Sequence, residues 1–414
     1  MIKTDVCIVG AGPGGVATAL KLSYLGIPSV LIDKARFPRD KICGDAISGK
    51  VTTLLNRLDP AIMQRFNGEP MQTDVWGIRF VAPNLKELDI PFKPNYVRDT
   101  ASAPGYVAKR MDFDHFLIEE VKRRDNIQFF DQTEVTSYTR TEKGYKITTK
   151  KEELAVEAPI LMVADGAHSS FSRKEAGLEK DMKHHAGAVR AYYKNVKGLA
   201  KDNFIELHFI KSITPGYFWI FPLPNGEANV GLGMRSDILT KREVNLRKAF
   251  DDIIQHHPTF KERFKDAEPI SKLKGFGLPL GSKRRVISGD HFMLIGDAGH
   301  LVDPLTGEGI GNAFYSGFIA AEQAQKCLQE QNFSAAFMQA YDVRVARVLG
   351  SEMRLSYRLQ RMLMYAPLVN LIANIIASNQ KIINVISGMY NDFNLREQLV
   401  KPLFWVKLLF KKGT

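Results

Sequence analysis

Three glycine-rich segments, each behind a short apolar run and each carrying an aspartate, are where this sequence is equipped for chemistry. In the first, Val6-Cys7-Ile8-Val9 leads directly into Gly10-Ala11-Gly12-Pro13-Gly14-Gly15. Ala17, Ala19, Leu20, Leu22 and Leu25 then recur at helical spacing, and Gly26 marks the helix end. A second apolar run, Val30-Leu31-Ile32, ends in Asp33. Each part has a physical task. Gly10 permits a tight turn, Gly12 lets the backbone approach a pyrophosphate, and Gly15 lets helix and strand pack closely. The helix start offers free N–H groups and a positive dipole end to phosphates. Asp33, 23 residues after Gly10, stands where an acid accepts hydrogen bonds from ribose hydroxyls. The register of strand, helix, second strand and acid predicts a Rossmann-type βαβ unit that binds a dinucleotide. On its own it does not separate FAD from NAD.

The two later segments do. Ile160–Ala164 reads as a strand and runs into Asp165-Gly166. Phe292–Ile295 reads as another and runs into Gly296-Asp297, followed by Asp303-Pro304-Leu305-Thr306-Gly307-Glu308-Gly309-Ile310-Gly311. A strand ending in Gly-Asp puts a carboxylate within reach of ribityl hydroxyls. The loop from Pro304 to Gly311 opens an apolar helix, Ile310–Leu328, whose first N–H groups can face the electron-rich N1/O2 edge of a reduced flavin. With the N-terminal glycines, these segments resemble the three fingerprints of the para-hydroxybenzoate-hydroxylase-type flavoproteins. The likeness covers roughly residues 1–330.

One branch is matched more closely. Lys41-Ile42-Cys43-Gly44 resembles the KxCG segment of the geranylgeranyl reductase family. Gly216-Tyr217-Phe218-Trp219-Ile220-Phe221-Pro222 is similar to its YxWxFP signature, and Arg110-Met111-Asp112-Phe113-Asp114 to its RxxFD segment. The resemblance implies FAD contacts at Gly10, Gly12, Gly14, Gly15, Asp33, Lys34, Lys41, Cys43, Gly44, Arg110, Val135, Asp165, Gly166, Gly296, Asp297, Pro304, Gly307, Gly309, Ile310 and Gly311. It also places Cys43 near the flavin face. The sequence departs from the family after Gly44: Asp45-Ala46 stands where glycine usually continues, which puts an acid near the isoalloxazine ring.

In a strand, side chains alternate, so Tyr217, Trp219 and Phe221 share one face and Phe218 and Ile220 the other. Asn225-Gly226 is expected to turn the chain into a partner strand, Ala228–Met234. The aromatic face either fills a sheet core or lines an apolar tunnel suited to an elongated hydrocarbon. Tyr217, Trp219 and Phe221 are the substrate-lining candidates. Cys43, Asp45, Tyr217 and Trp219 are the catalytic ones, with Asp45 and Tyr217 as the candidate proton donors.

These elements imply a fold combining α/β and antiparallel β structure: a Rossmann-type FAD/NAD(P)-binding domain (GR2/PHBH-like), a β-sheet substrate domain and a helical C-terminal region. The FAD-binding part is expected to be discontinuous, at 1–74, 101–178 and 272–330. The substrate part is placed at 75–100 and 179–271, with strands at 75–81, 188–196, 204–209 and the 217–234 hairpin, and a helix at about 240–256. Residues 331–414 read as helical, with Asn332-Phe333-Ser334 capping a helix over 335–349.

Composition is ordinary for a soluble globular protein: of 414 residues, 45% are hydrophobic and 25% charged. Cys7, Cys43 and Cys327 are far apart and form no CxxC pair, so neither disulfides nor a metal site is expected. No signal peptide is expected, and a reducing, cytoplasmic setting fits. The apolar stretch 363–380 is interrupted by Pro367, Asn370, Asn374, Ser378 and Asn379, which argues for a buried or groove-lining helix over a membrane span. The net charge of +12 is met by a lysine-rich solvated surface, by attraction to a phosphorylated substrate, or by an anionic membrane; no nucleic-acid module occurs. The basic, aromatic run Phe404–Lys412 makes peripheral membrane association a second expectation.

The functional reading that follows is reduction of C=C bonds in an isoprenoid or other long apolar substrate by hydride from reduced FAD. No second fingerprint is present for a nicotinamide cofactor, so electrons are expected from transiently bound NAD(P)H or from a ferredoxin as redox partner. The alternatives are an FAD-dependent monooxygenase, a flavin-dependent halogenase or a non-catalytic flavin-binding module. Halogenases carry GWxWxIP where this chain has GYFWIFP, and Lys86 is the nearest candidate for their essential lysine.

Overall fold

The computed structural model describes residues 1–96, 98, 102–150 and 154–388. One sheet has six strands in the order Ser288–Gly289, Phe292–Leu294, Ile160–Val163, Val6–Val9, Ser29–Ile32, Ile127–Phe130. All pairings are parallel except that of the first two. The three central strands are buried at every position, as continuous apolar runs in a doubly covered parallel sheet must be. The helix Pro13–Tyr24 packs on this sheet and against the helix Ile310–Glu330. Gly317 sets their approach: a Cβ there would lie 2.8 Å from the Gly14 carbonyl oxygen. The loops leaving Val9, Val163 and Leu294 emerge at the same edge, which brings the three glycine-aspartate segments together.

A second, eight-stranded sheet runs Glu268–Pro269, His185–Lys194, Glu227–Arg235, Tyr217–Pro222, Ile205–His208, Gly77–Val81, Glu87–Pro91, with Lys274–Pro279 also paired to His185–Lys194. In its hairpin Trp219 lies opposite Gly231 and Phe221 opposite Asn229. The indole covers Gly231 so closely that a Cβ would sit 2.2 Å from its ring. Phe218 and Ile220 face the other way, into a core with Phe250, Ile253 and Phe260. The alternation expected of this strand is therefore present.

Two expectations need correction. The single strand at 75–81 is two strands, Gln72–Val75 and Gly77–Val81, which pair in different sheets. The chain changes sheets at Trp76, which is buried and stacks on Tyr96 at 5.0 Å. The helix at 240–256 is also two, Ser236–Lys241 and Leu246–His256. Glu243 has a left-handed φ of 52°, and the Asn245 side chain restarts the second helix by accepting from the N–H groups of Arg247 and Lys248.

The C-terminal region is helical over Ala335–Val348, Gly350–Met362, Ala366–Ala377 and Gln380–Gly388. Ser334 caps the first of these through the Phe337 N–H. The second and third are bent by 107°, and among the described residues no single helix is long and apolar enough to cross a membrane. The Phe404–Lys412 run lies outside the described residues.

Candidate active site

A cavity of about 410 Å³ opens where the three loops meet the second sheet. Its wall includes Gly10, Gly12, Gly14, Asp33, Lys41, Cys43, Gly44, Asp45, Arg110, Asp165, Gly166, Gly296, Asp297, Pro304, Gly307, Gly309 and Ile310. Tyr217, Trp219 and Phe221 lie on the same wall. Gly15, Lys34, Val135 and Gly311 do not. Gly15 sits beneath the loop, where a Cβ would come 1.8 Å from the Gly10 carbonyl oxygen. Lys34 is exposed, Val135 opens a strand of an outer four-stranded sheet, and Gly311 lies within the first turn of its helix.

At one end of the cavity the chain is built for phosphate. Gly10 holds a φ of +101° that only glycine adopts readily. The helix Pro13–Tyr24 has no side-chain cap on its first N–H groups, which leaves them for an anion. Asp33 braces this loop: its Oδ2 accepts from Ala11 N–H at 2.7 Å and its Oδ1 from Ala35 N–H at 2.8 Å. Arg39, which the motifs did not single out, also lines the cavity, its Nη2 3.8 Å from where a Cβ on Gly12 would be. Asp114 positions it at 3.0 Å and holds Arg110 bidentately at 2.7 Å on both arms. The RxxFD spacing thus sets a carboxylate one helical turn from the arginine it orients.

Deeper in, Asp165 and Asp297 face the cavity from the other two loops. Burial pushes both carboxyls up, that of Asp165 to about 6, and Asp165 Oδ1 has no hydrogen-bond partner. Such an oxygen is costly unless a ligand hydroxyl supplies the missing bond. The helix Ile310–Glu330 starts at Gly309, again with no side-chain cap. Lys41 lies 3.1 Å from the centroid of the Phe276 ring; burial brings its ammonium down to about 8 despite the nearby Asp297. A braced glycine loop, two oriented arginines, an orphaned carboxylate and two uncapped helix starts fit the phosphates and hydroxyls of FAD.

Residues 3–332 match a family model described as FAD binding domain. A digeranylgeranylglycerophospholipid reductase of Methanococcus vannielii is 30% identical over 346 residues, covering 82% of this chain and 81% of the relative. The chain belongs to the FAD-binding geranylgeranyl reductase family. A solved geranylgeranyl bacteriochlorophyll reductase-like protein of Thermoplasma acidophilum has the same fold, with a TM-score of 0.80 at 23% identity over 96% of this chain and 99% of that one. A flavin-dependent brominase shares it too, at a TM-score of 0.74 and 20% identity over 98% of both chains. The GR2/PHBH-like fold is thus common to reductases and halogenases, and the site must separate them. Lys86 is exposed in the turn between Gly77–Val81 and Glu87–Pro91 and lies off the cavity wall; among the described residues Lys41 is the only lysine there.

In this member of the geranylgeranyl reductase family the residue after Gly44 is Asp45, and the structure shows what surrounds it. Asp45 has a φ of 69°, a conformation glycine adopts freely and aspartate at a cost of order 1 kcal/mol. Its carboxylate is fully buried. Oδ2 accepts from the Tyr192 hydroxyl at 2.7 Å and from Asn229 Nδ2 at 2.7 Å. Arg190 lies over the Tyr192 ring at 4.1 Å and is tied to Asp40 and to the carbonyls of Lys41 and Cys43. Burial pushes the Asp45 carboxyl up to about 6, against the pull of Arg190, Tyr192, Asn229 and Arg110. The other proton-donor candidate, Tyr217, is already committed: its hydroxyl donates to the Thr306 carbonyl at 2.5 Å, and burial pushes its pKa up.

Proposed function

We propose that this enzyme reduces C=C bonds in the isoprenoid chains of a prenyl lipid. The observation that carries the reading is the joining of two surfaces in one cavity: the FAD-type loops on one side, and Val75, Ile78, Leu207, Trp219 and Phe221 on the other. Such an apolar wall orients a hydrocarbon by shape and excludes water from it. Bound FAD, once reduced, supplies hydride chemistry. The protein's own part is to grip the dinucleotide through Gly10–Gly15, Asp33, Arg39 and Arg110, and to steady the cofactor's hydroxyls and ring with Asp165, Asp297 and the Gly307–Ile310 turn. Cys43 and Gly44 border the same space, beside Phe221. In this reading the FAD-binding part spans 1–74, 101–178 and 272–330, and 75–100 with 179–271 forms the substrate part.

Electrons come from NAD(P)H or from a ferredoxin that docks transiently. The lipid enters from a membrane surface. Met364, Tyr365, Leu368 and Leu371, at and after the helix bend, are exposed apolar side chains of the kind that rest on a bilayer. The relative named as a digeranylgeranylglycerophospholipid reductase supports a lipid of that class.

The test is to reduce the flavin-loaded protein under argon and add a geranylgeranylated lipid. A product heavier by two hydrogens per bond, formed as the flavin absorbance returns, supports the reading. A product that has gained oxygen or halogen, formed only in air, overturns it.

A further inference from the structure

We propose that Asp45 is the acid that completes the reduction, delivering its proton from Oδ1, with Asn229 and Tyr192 as positioning residues. The proposal rests on the reductase reading above.

The hydrogen bonds assign the proton to one oxygen. An indole N–H can only donate, and Trp219 Nε1 donates to Asn229 Oδ1 at 2.8 Å. That fixes the amide, so Nδ2 is the end that faces Cys43 O at 2.8 Å and Asp45 Oδ2 at 2.7 Å. The Tyr192 hydroxyl donates to the same Oδ2. A proton on Oδ2 would point at the Asn229 donor. Oδ1 has no hydrogen-bond partner, on a residue that lines the cavity. When the carboxyl is protonated, the proton is assigned to Oδ1, the buried oxygen left without a partner.

The step balances. Reduced FAD, when bound, would supply a hydride to one alkene carbon and would itself be oxidised by two electrons. The other carbon gains the Oδ1 proton. The π bond and the O–H bond break, two C–H bonds form, and Asp45 is left as a carboxylate that solvent reprotonates. Arg190, Arg110, Tyr192 and Asn229 act on that carboxylate directly. Around Tyr192 and Arg190 lie Asp40, 2.9 Å from Arg190, and Lys109, 5.2 Å from the Tyr192 ring centroid; the Cys43 thiol borders the same space. Burial of Asp45 holds its titration near 6, close enough to neutrality for an acid that must be recharged at each turnover.

The experiment follows reoxidation of the reduced, flavin-loaded protein by a geranylgeranylated lipid as a function of pH, with infrared titration of the same samples. In the wild type the rate falls as pH rises through about 6, and a protonated-carboxyl band is lost over the same range. Asp45→Asn, which keeps the shape and tolerates the left-handed backbone, lacks both the band and the limb and is slower by roughly 100-fold at the acid plateau. Tyr192→Phe removes a donor to the carboxylate, so band and limb both move to higher pH. A limb retained in Asp45→Asn, or a Tyr192→Phe variant that is slower at every pH with its limb unmoved, overturns the proposal and leaves the reductase reading standing. A wild-type protein that reduces no such lipid overturns both.

Discussion

Trp219 and Asn229, ten positions apart on neighbouring strands, are joined by an indole-to-amide hydrogen bond of 2.8 Å that makes the aromatic wall and the buried acid one unit. Asn229 is 0% exposed and also serves Cys43 and Asp45. Asn229→Leu leaves the Trp219 indole unpaired in the interior and takes a donor from both the Cys43 carbonyl and the Asp45 carboxylate. Removing partners of buried groups costs about 1–3 kcal/mol each, so urea unfolding should show a loss of about 2–4 kcal/mol. A loss below about 0.5 kcal/mol, the range of an ordinary surface change, would mean that this amide is not a structural joint.

The glycine loop makes a sharper demand. Gly15→Ala would set a methyl group 1.8 Å from the Gly10 carbonyl oxygen. The helix Pro13–Tyr24 must then move away from its strand, and its N–H groups with it. FAD affinity, measured by fluorescence titration, is expected to fall at least 100-fold, or about 3 kcal/mol.

Arg39 tests a residue the motifs passed over. Arg39→Gln removes a guanidinium beside Gly12 and leaves Asp114 to Arg110 alone. FAD binding should weaken about tenfold, or 1.4 kcal/mol, and become less dependent on salt. The apparent affinity for the lipid should stay unchanged, because no apolar wall residue is touched.

Asp45 makes stability depend on pH in a stated direction. Its carboxyl is raised from 3.8 unfolded to about 6 folded, so folding favours the protonated form. That contribution is full below about pH 4 and is lost as pH rises through about 6. Relative to Asp45→Asn, the wild type should lose about 2 kcal/mol between pH 4 and pH 8, at 1.36 kcal/mol for each tenfold change in proton affinity. Denaturant midpoints at the two pH values measure it; a constant difference would contradict the buried acid.

Glu206 should behave in the opposite sense. Burial alone would raise its carboxyl, but hydrogen bonds from His208 at 2.8 Å and from both arms of Arg263 at 2.7 and 2.9 Å bring it down to about 2. The stabilisation is present above the ordinary value of 4.5 and is lost as pH falls towards 2. Glu206→Gln breaks a buried ion cluster and should cost about 3–5 kcal/mol at neutral pH, with the gap narrowing below about pH 4.

The FAD loops could be read from the sequence because their tasks are local. Gly10 turns the chain at a positive φ and Gly15 packs against the Gly10 carbonyl within one strand-turn-helix unit, and Tyr217, Trp219 and Phe221 share a face by the alternation of a single strand. Arg190, Tyr192 and Asn229 carried no such sign. Tyr192 and Asn229 reach Asp45 from 147 and 184 residues away through the register of the large sheet, and in sequence each reads as an ordinary strand residue. Arg39 sits in a short charged loop that looks solvated until Asp114 turns it inward. The long helix expected at 240–256 failed for a local reason that could have been weighed: Asn245 followed by a helical run is itself a start signal. Residues 75–81 read as one unbroken strand through Trp76, and nothing local marked the change of sheet.

One measurement tests the central claim most directly: a crystal structure of the chain with FAD and a geranylgeranylated lipid bound. The isoalloxazine ring is expected between the 43–46 and 304–311 loops, with the lipid's double bond over the ring and its chain along Tyr217, Trp219 and Phe221. A flavin seated elsewhere, or side chains closing the space beside Trp219 so that no hydrocarbon enters, would contradict it.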